Sequence, residues 1–278
     1  MQYLDIQAQK IRQGVIETVY RQKQGHLGGP LSMADILAVL YFDVLNIDPT
    51  QPQWEDRDRF VLSKGHSGIA LYVALALRGY FPYEELFTFD ELHSRLQAHP
   101  DMTKLPGIDM STGSLGQGFS AAVGMALGAK LQGKAYKTYC LLGDGESQEG
   151  QVWEAAHVAT RYKLNNLIVI LDNNRLQQYG WANENIKSRR PPDSNPAEKW
   201  KAFGWNVLEI DGHDTRQIKQ ALTDLPNRSK RKPSIIIAHT IKGKGVRFME
   251  NQFKWHSNVP TKEEYHEAMK QLKEGIPQ

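Results

Sequence analysis

Two short segments carry oxygen donors at the spacing of one strand–helix–strand unit. Gly143-Asp144-Gly145-Glu146 closes one apolar run and Asp172-Asn173-Asn174 closes the next, with Asp144 and Asn174 thirty positions apart. A carboxylate and a carboxamide side by side at one edge of a sheet are hard donors suited to Mg²⁺ or Ca²⁺. Mg²⁺ in turn completes its octahedron with phosphates and water. Glycine on either side of Asp144 lets backbone approach a phosphate where a side chain would intrude. Either segment alone is ordinary turn chemistry, since Gly, Asp and Asn dominate turns on conformational grounds. Together, after consecutive strands, they point to a metal–diphosphate site. Four of the nine histidines, in Gly25-His26, Gly65-His66, His99-Pro100 and His256-Ser257, sit beside Gly, Pro or Ser. Any one of them reads most simply as a surface or structurally satisfied histidine. As a set in loops, beside a metal–diphosphate site, they read as imidazoles aimed at a ligand.

The elements that must hold these residues follow from the hydropathy pattern. Residues 137–142, 167–171, 205–210 and 234–238 read as short, largely apolar strands, 167–171 as an unbroken apolar run, and helical patterns cover 150–162 and 215–225. Such alternation predicts an α/β fold, a parallel sheet with helices on both faces. Its crossovers are right-handed and its ligands sit at the carboxyl ends of the strands. The first 130 residues read as mainly helical, with helices over 33–44, 66–77 and 116–131. Ser32 stands where an N-cap for the first of these would be, with Asp35 three residues later. A polar helix is expected over 261–272. The breaker-rich stretch 188–196 reads as an active-site loop. With no linker and no internal repeat, residues 1–278 read as one domain with a helical N-terminal portion.

Composition narrows the class. Hydrophobic residues at 40% and charged residues at 23% are ordinary globular usage, which excludes fibrous and disordered chains. Lys+Arg 34 against Asp+Glu 31 is too even for a nucleic-acid or membrane-surface partner. A single cysteine, Cys140, excludes a disulfide framework and favours a reducing compartment. No stretch approaches the roughly 18 apolar residues of a membrane span, and the charged N-terminus shows no leader. A cytoplasmic chain is expected.

Several segments resemble transketolase. Asp58-Arg59-Phe60-Val61-Leu62-Ser63-Lys64-Gly65-His66 is similar to its DRFVLSxGH segment, and residues 25–30 (GHLGGP) to its first histidine loop. Residues 112–118 (TGSLGQG) are similar to its TGxLGQG loop, and residues 143–150 to GDGxxQEG. The GDG and double-asparagine pairing itself resembles the thiamine diphosphate motif. The similarity runs in order along essentially the whole chain. It implies thiamine diphosphate as cofactor, with Asp144, the side chain of Asn174 and the carbonyl of Leu176 holding Mg²⁺ (Ca²⁺ or Mn²⁺ as substitutes). His66, Gly113, Ser114, Leu115, Gly145, Glu149 and His256 would contact the cofactor. His26, His66, His99, His256 and Glu154 would serve catalysis, with His26, His99 and His256 lining the substrate channel. Glu149 and Glu154 resemble carboxylates that link two active sites across a subunit interface, and residues 189–196 resemble a segment that covers the cofactor. The implied reaction moves a two-carbon unit from a ketose phosphate to an aldose phosphate.

The motifs all belong to the diphosphate-binding half of that family, and no second α/β block follows the terminal helix. The expectation is therefore the N-terminal subunit of a split transketolase. A separately encoded C-terminal, pyrimidine-domain partner would complete it in an α₂β₂ heterotetramer. The α subunit of a 2-oxo acid dehydrogenase lacks the His26 and His66 contexts. A non-catalytic relative is disfavoured by intact Asp144, Asn174 and histidines. A nicotinamide enzyme would need G-x-G-x-x-G opening a helix, which is not found. Lys242-Gly243-Lys244-Gly245 has the wrong spacing for a phosphate-binding P-loop. Residues 229–232 (SKRK) read as a solvated basic loop.

Overall fold

The computed structural model describes residues 2–176, 178, 195–229 and 231–275. Among these, five parallel strands form one sheet: β1 (Arg59–Leu62), β2 (Thr138–Gly143), β3 (Leu167–Asn173), β4 (Asn206–Asp211) and β5 (Ser234–His239), in the order β1-β2-β3-β5-β4. Four of them fall on the strands expected from sequence. The fifth, β1, is not expected; only four residues long, it offers too short a run to show periodicity.

The apolar runs are explained by burial on both faces. Tyr139, Leu141, Ile168, Ile170 and Ile236 face one hydrophobic cluster, and their alternate neighbours Cys140, Leu142, Val169, Leu171 and Ile237 face the other. Full burial of each Leu or Ile contributes roughly 1.5–3 kcal/mol. A one-residue register slip would exchange the two sets and is excluded on packing grounds. The first cluster is built with α1 (Gln2–Gln22), α2 (Gly28–Ser32), α3 (Ala34–Val39) and α4 (Gly68–Arg78). Leu4, Ala8, Ile11, Val15 and Val19 form the buried stripe of α1. Gly14 lets α1 and α4 close, since a Cβ there would lie 2.6 Å from a Val73 methyl. The second cluster takes α5 (Gln117–Leu131), α6 (Gly150–Arg161) and α7 (Pro196–Ala202). α8 (Thr215–Asp224) and α9 (Lys262–Glu274) complete the described α-helices, α9 opening on a Thr261–Glu264 capping box. No described helix is long and apolar enough to cross a membrane.

The expected cap at Ser32 is not made. α3 begins after Met33 without a side-chain cap, and the Ser32 hydroxyl instead sits 2.5 Å from Asp172 Oδ2. Ser32 is the last residue of α2 and Met33 holds the cap position of α3, so the Ser32 O–H is directed to the buried carboxylate instead. The 188–196 loop lies outside the described residues except for Asn195, which caps α7 through Glu198 N–H at 3.2 Å, and Pro196.

Register sets the functional edge. Gly143 pairs with Asp172, and Asn173 and Asp211 both pair with His239, so the carboxyl ends of β2, β3, β5 and β4 finish level. The two oxygen-donor segments emerge side by side at that edge.

Candidate functional site

A cavity of about 420 Å³ opens at the ends of β2 and β3. Its floor is the turn after β2. The Asp144 carboxylate accepts Gly145 N–H at 2.8 Å and also the N–H of Arg175, from the segment after β3. Asn174 Oδ1 accepts Leu176 N–H at 3.0 Å, which folds the 174–176 segment so that side chain and carbonyl face one space. Burial raises the Asp144 pKa to about 6, helped by the neighbouring Asp172 charge. Such a carboxyl is poised to gain from a cation.

Asp172 organises this edge from below. It is fully buried and accepts from Lys64 Nζ, Ser32 Oγ, Thr240 Oγ1 and, at 3.4 Å, Asn174 Nδ2. Burial alone would raise its pKa, but the Lys64 ammonium and these donors hold it below the usual carboxylate range. Glu146, 2% exposed, does the same for the loops: Ser63 Oγ at 2.6 Å, Gly116 N–H at 2.9 Å and Gly143 N–H at 3.0 Å all donate to it. One buried carboxylate thus ties the segment after β1, the 112–118 turn and the end of β2 together. Gly65 is required where those turns meet, because a Cβ would lie 2.6 Å from the Gly113 nitrogen.

The histidines converge. His26, His66 and His256 form a triangle with ring centroids 5.2, 5.1 and 5.2 Å apart. Burial, assisted by the nearby lysines and partner histidines, lowers all three, to about 4, 2 and 3 respectively. They are neutral imidazoles at physiological pH, able to accept or donate a hydrogen bond. Lys242 reaches the same space. Its stem crosses Gly28, where a Cβ would collide at 2.7 Å, and its ammonium lies 2.9 Å from His256 Nδ1 and 3.3 Å from the Leu176 carbonyl. Burial lowers the Lys242 pKa to about 8.

Of the residues singled out from sequence, His26, His66, Gly113, Leu115, Asp144, Gly145, Glu149, Asn174, Leu176 and His256 line the cavity. Three do not. Ser114 is exposed just before α5, with its carbonyl accepting Gln117 N–H. His99 is exposed behind Gly113, 2.9 Å from where a Gly113 Cβ would stand, and Glu154 is exposed on α6. Lys64, Asp172 and Glu146 fall inside the quoted segments and Lys242 inside the misspaced 242–245 pattern, but none of the four is singled out as a site residue from sequence.

The donor set fits a hard divalent cation. Among the described residues no group of three His, Cys, Asp or Glu side chains is placed to hold a metal ion. One carboxylate, one amide oxygen and one carbonyl leave positions for phosphate oxygens, the arrangement Mg²⁺ favours. Lys64 and Lys242 bring positive charge to the cavity, and Gly113 and Gly145 leave backbone open to it, a lining that a diphosphate would fit.

Comparisons with known proteins show the family. Residues 5–275 match the family model described as transketolase, thiamine diphosphate binding domain. The chain is 44% identical to an apulose-4-phosphate transketolase subunit of Phocaeicola vulgatus, covering 98% of this chain and 95% of that one. It is 47% identical to a 6-deoxy-6-sulfo-D-fructose transketolase subunit of a Clostridium species, covering 98% and 97%. Transketolase from Campylobacter jejuni superposes with a TM-score of 0.86 at 37% identity, over 98% of this chain but 43% of that one. The chain belongs to the transketolase family and carries its thiamine diphosphate-binding domain.

Proposed function

We propose that this chain, as a single domain over residues 1–278, is the diphosphate-binding subunit of a two-subunit transketolase. With thiamine diphosphate and Mg²⁺ it would transfer a two-carbon unit from an anionic ketose to an aldose acceptor. The observation that carries this is the meeting of Asp144, Asn174 and the Leu176 carbonyl with two lysines and three neutral histidines in one cavity. Asp144, Asn174 and the Leu176 carbonyl hold the metal. Lys64 and Lys242 offset the diphosphate charge, with His66 and the Gly113-Ser114-Leu115 backbone against the cofactor.

Bound thiamine diphosphate supplies the carbon nucleophile and electron sink for breaking a C–C bond next to a carbonyl. The chain's own residues orient and exchange protons. His26 and His256 face the space left above the metal site. Their imidazoles, kept neutral by burial, accept protons from sugar hydroxyls and return them.

The relatives named as subunits match this chain end to end, whereas it spans 43% of the Campylobacter jejuni transketolase. A separately encoded pyrimidine-domain partner in an α₂β₂ assembly accounts for the difference. The exposed carboxylates Glu149 and Glu154 fit a role at that interface. Two relatives are named for a sugar phosphate and a sulfonated sugar, and we assign an anionic ketose donor here on that similarity. The buried, lone Cys140 is compatible with a cytoplasmic setting.

The test is two-carbon transfer between a panel of ketose and aldose phosphates, assayed with and without the co-expressed partner. Turnover by the pair and none by this chain alone is expected. Full turnover by the chain alone, or none by the loaded pair with any ketose, would overturn the proposal.

A further inference from the structure

Behind the cavity lies a polar relay that the chemistry above does not use. Arg12 of α1 donates to Asp35 of α3 through both terminal nitrogens, Nη1 to Oδ1 at 3.2 Å, and its Nε donates to the Leu31 carbonyl at 3.3 Å. Arg12 and Asp35 are buried. On the far side of Asp35, His213 Nδ1 lies 2.7 Å from Oδ2, and His213 Nε2 lies 2.9 Å from the backbone nitrogen of Ile241. An amide N–H only donates, so Nε2 must be bare and the ring proton must sit on Nδ1, facing the carboxylate. The relay therefore has one direction: Arg12, Asp35 and the neutral imidazole fix a tautomer whose free lone pair holds Ile241.

Ile241 is the residue before Lys242. The backbone here is held close on every side. Gly212 N–H donates to the His239 carbonyl at 2.8 Å, and a Cβ on Gly212 would lie 2.4 Å from the Thr240 methyl. Thr240 Oγ1 binds Asp172, and Gly243 N–H reaches the Gly28 carbonyl at 3.0 Å. From this clamped segment Lys242 extends to the Leu176 carbonyl and His256.

We propose that His213 is a positioning residue for the cofactor site: by accepting the Ile241 N–H it fixes the backbone from which Lys242 reaches the metal-binding segment. The inference rests on the cavity being the thiamine diphosphate site. His213 touches neither cofactor nor substrate and acts through Lys242. Asp35 and Arg12 set its tautomer.

The experiment measures thiamine diphosphate affinity by calorimetry, in the presence of Mg²⁺, on the chain assembled with its partner. The variants are His213→Ala and His213→Asn, with melting curves recorded alongside. Asn places an amide near the Nδ1 position, where it still donates to Asp35, but is too short to accept from Ile241. Both variants should bind the cofactor about tenfold more weakly, the equivalent of one lost hydrogen bond. His213→Asn should melt near the wild type, and added imidazole should restore part of the affinity of His213→Ala. Wild-type affinity in both variants would refute the proposal. So would unfolding of both, or a lowered melting temperature with unchanged affinity, since each assigns His213 to the core alone. Failure of the wild-type assembly to bind thiamine diphosphate would instead remove the assignment of the cavity, and this inference with it.

Discussion

Replacing Asp172 by Asn isolates the ion pair beneath the proposed metal site. Asp172 is fully buried and Lys64 is 2% exposed, so the variant leaves an ammonium in the interior without its counter-charge. Removing one partner of a buried pair typically costs about 3–5 kcal/mol, most of it the unpaired charge. At about 2 °C per kcal/mol for a chain of this size, the melting temperature should fall by about 6–10 °C. Asn keeps an acceptor for Ser32 or Thr240, which places the expectation at the low end. Two comparisons separate the charge from the packing. The double variant Asp172→Asn with Lys64→Met removes both charges and should recover most of the loss. Thiamine diphosphate with Mg²⁺ should narrow the gap between Asp172→Asn and wild type in the assembled enzyme, because Lys64 then gains an anionic neighbour. Scanning fluorimetry reads all three. A double variant no more stable than Asp172→Asn would refute the electrostatic account.

Other expectations follow from single contacts. Gly65→Ala should destabilise by about 1–3 kcal/mol, since its Cβ meets backbone on the 112–113 turn, and should weaken cofactor binding through displacement of Gly113; urea midpoints and calorimetry measure the two effects. Gly128→Ala on α5, with nothing within 4 Å of its Cβ, should instead stabilise the isolated chain by about 0.5–1 kcal/mol in the same denaturation assay. His26, His66 and His256 have folded pKa values below their unfolded value of about 6.5. Between about pH 6.5 and 4 the unfolded chain takes up protons that the folded chain refuses, so stability falls as pH drops through that window. His26→Asn should shallow this acid limb of the stability–pH curve, and an unchanged slope would contradict the buried neutral triangle.

How far the sequence reaches depends on whether each signal is local. β2, β3 and β5 are legible because burial on both faces demands consecutive apolar residues, which a window of six positions displays. Asp144 and Asn174 are legible because the two strands end level in a parallel sheet, so chain spacing translates directly into proximity. Lys64 and Lys242 are hidden for the opposite reason. The counter-charge of Lys64 is 108 positions away in Asp172, and the Lys242–Gly243–Lys244–Gly245 pattern reads along the chain only as a misspaced phosphate loop. The role of Lys242 comes from lying across Gly28 against His256. Ser32 looks like a cap because cap propensity is a local rule, whereas the preceding short helix α2, which Ser32 closes, and its distant partner Asp172 leave no local trace. Glu146 sits inside a recognisable turn, yet its partners Ser63, Gly116 and Gly143 come from three segments.

The central claim is that the cavity after β2 and β3 binds thiamine diphosphate through a metal held by Asp144. Calorimetric titration of the cofactor into the assembled enzyme, with and without Mg²⁺, for wild type and Asp144→Ala, tests it directly. Binding that requires Mg²⁺ in the wild type and is lost by at least tenfold in Asp144→Ala is the predicted result. Equal, metal-dependent affinity in both proteins would contradict the account.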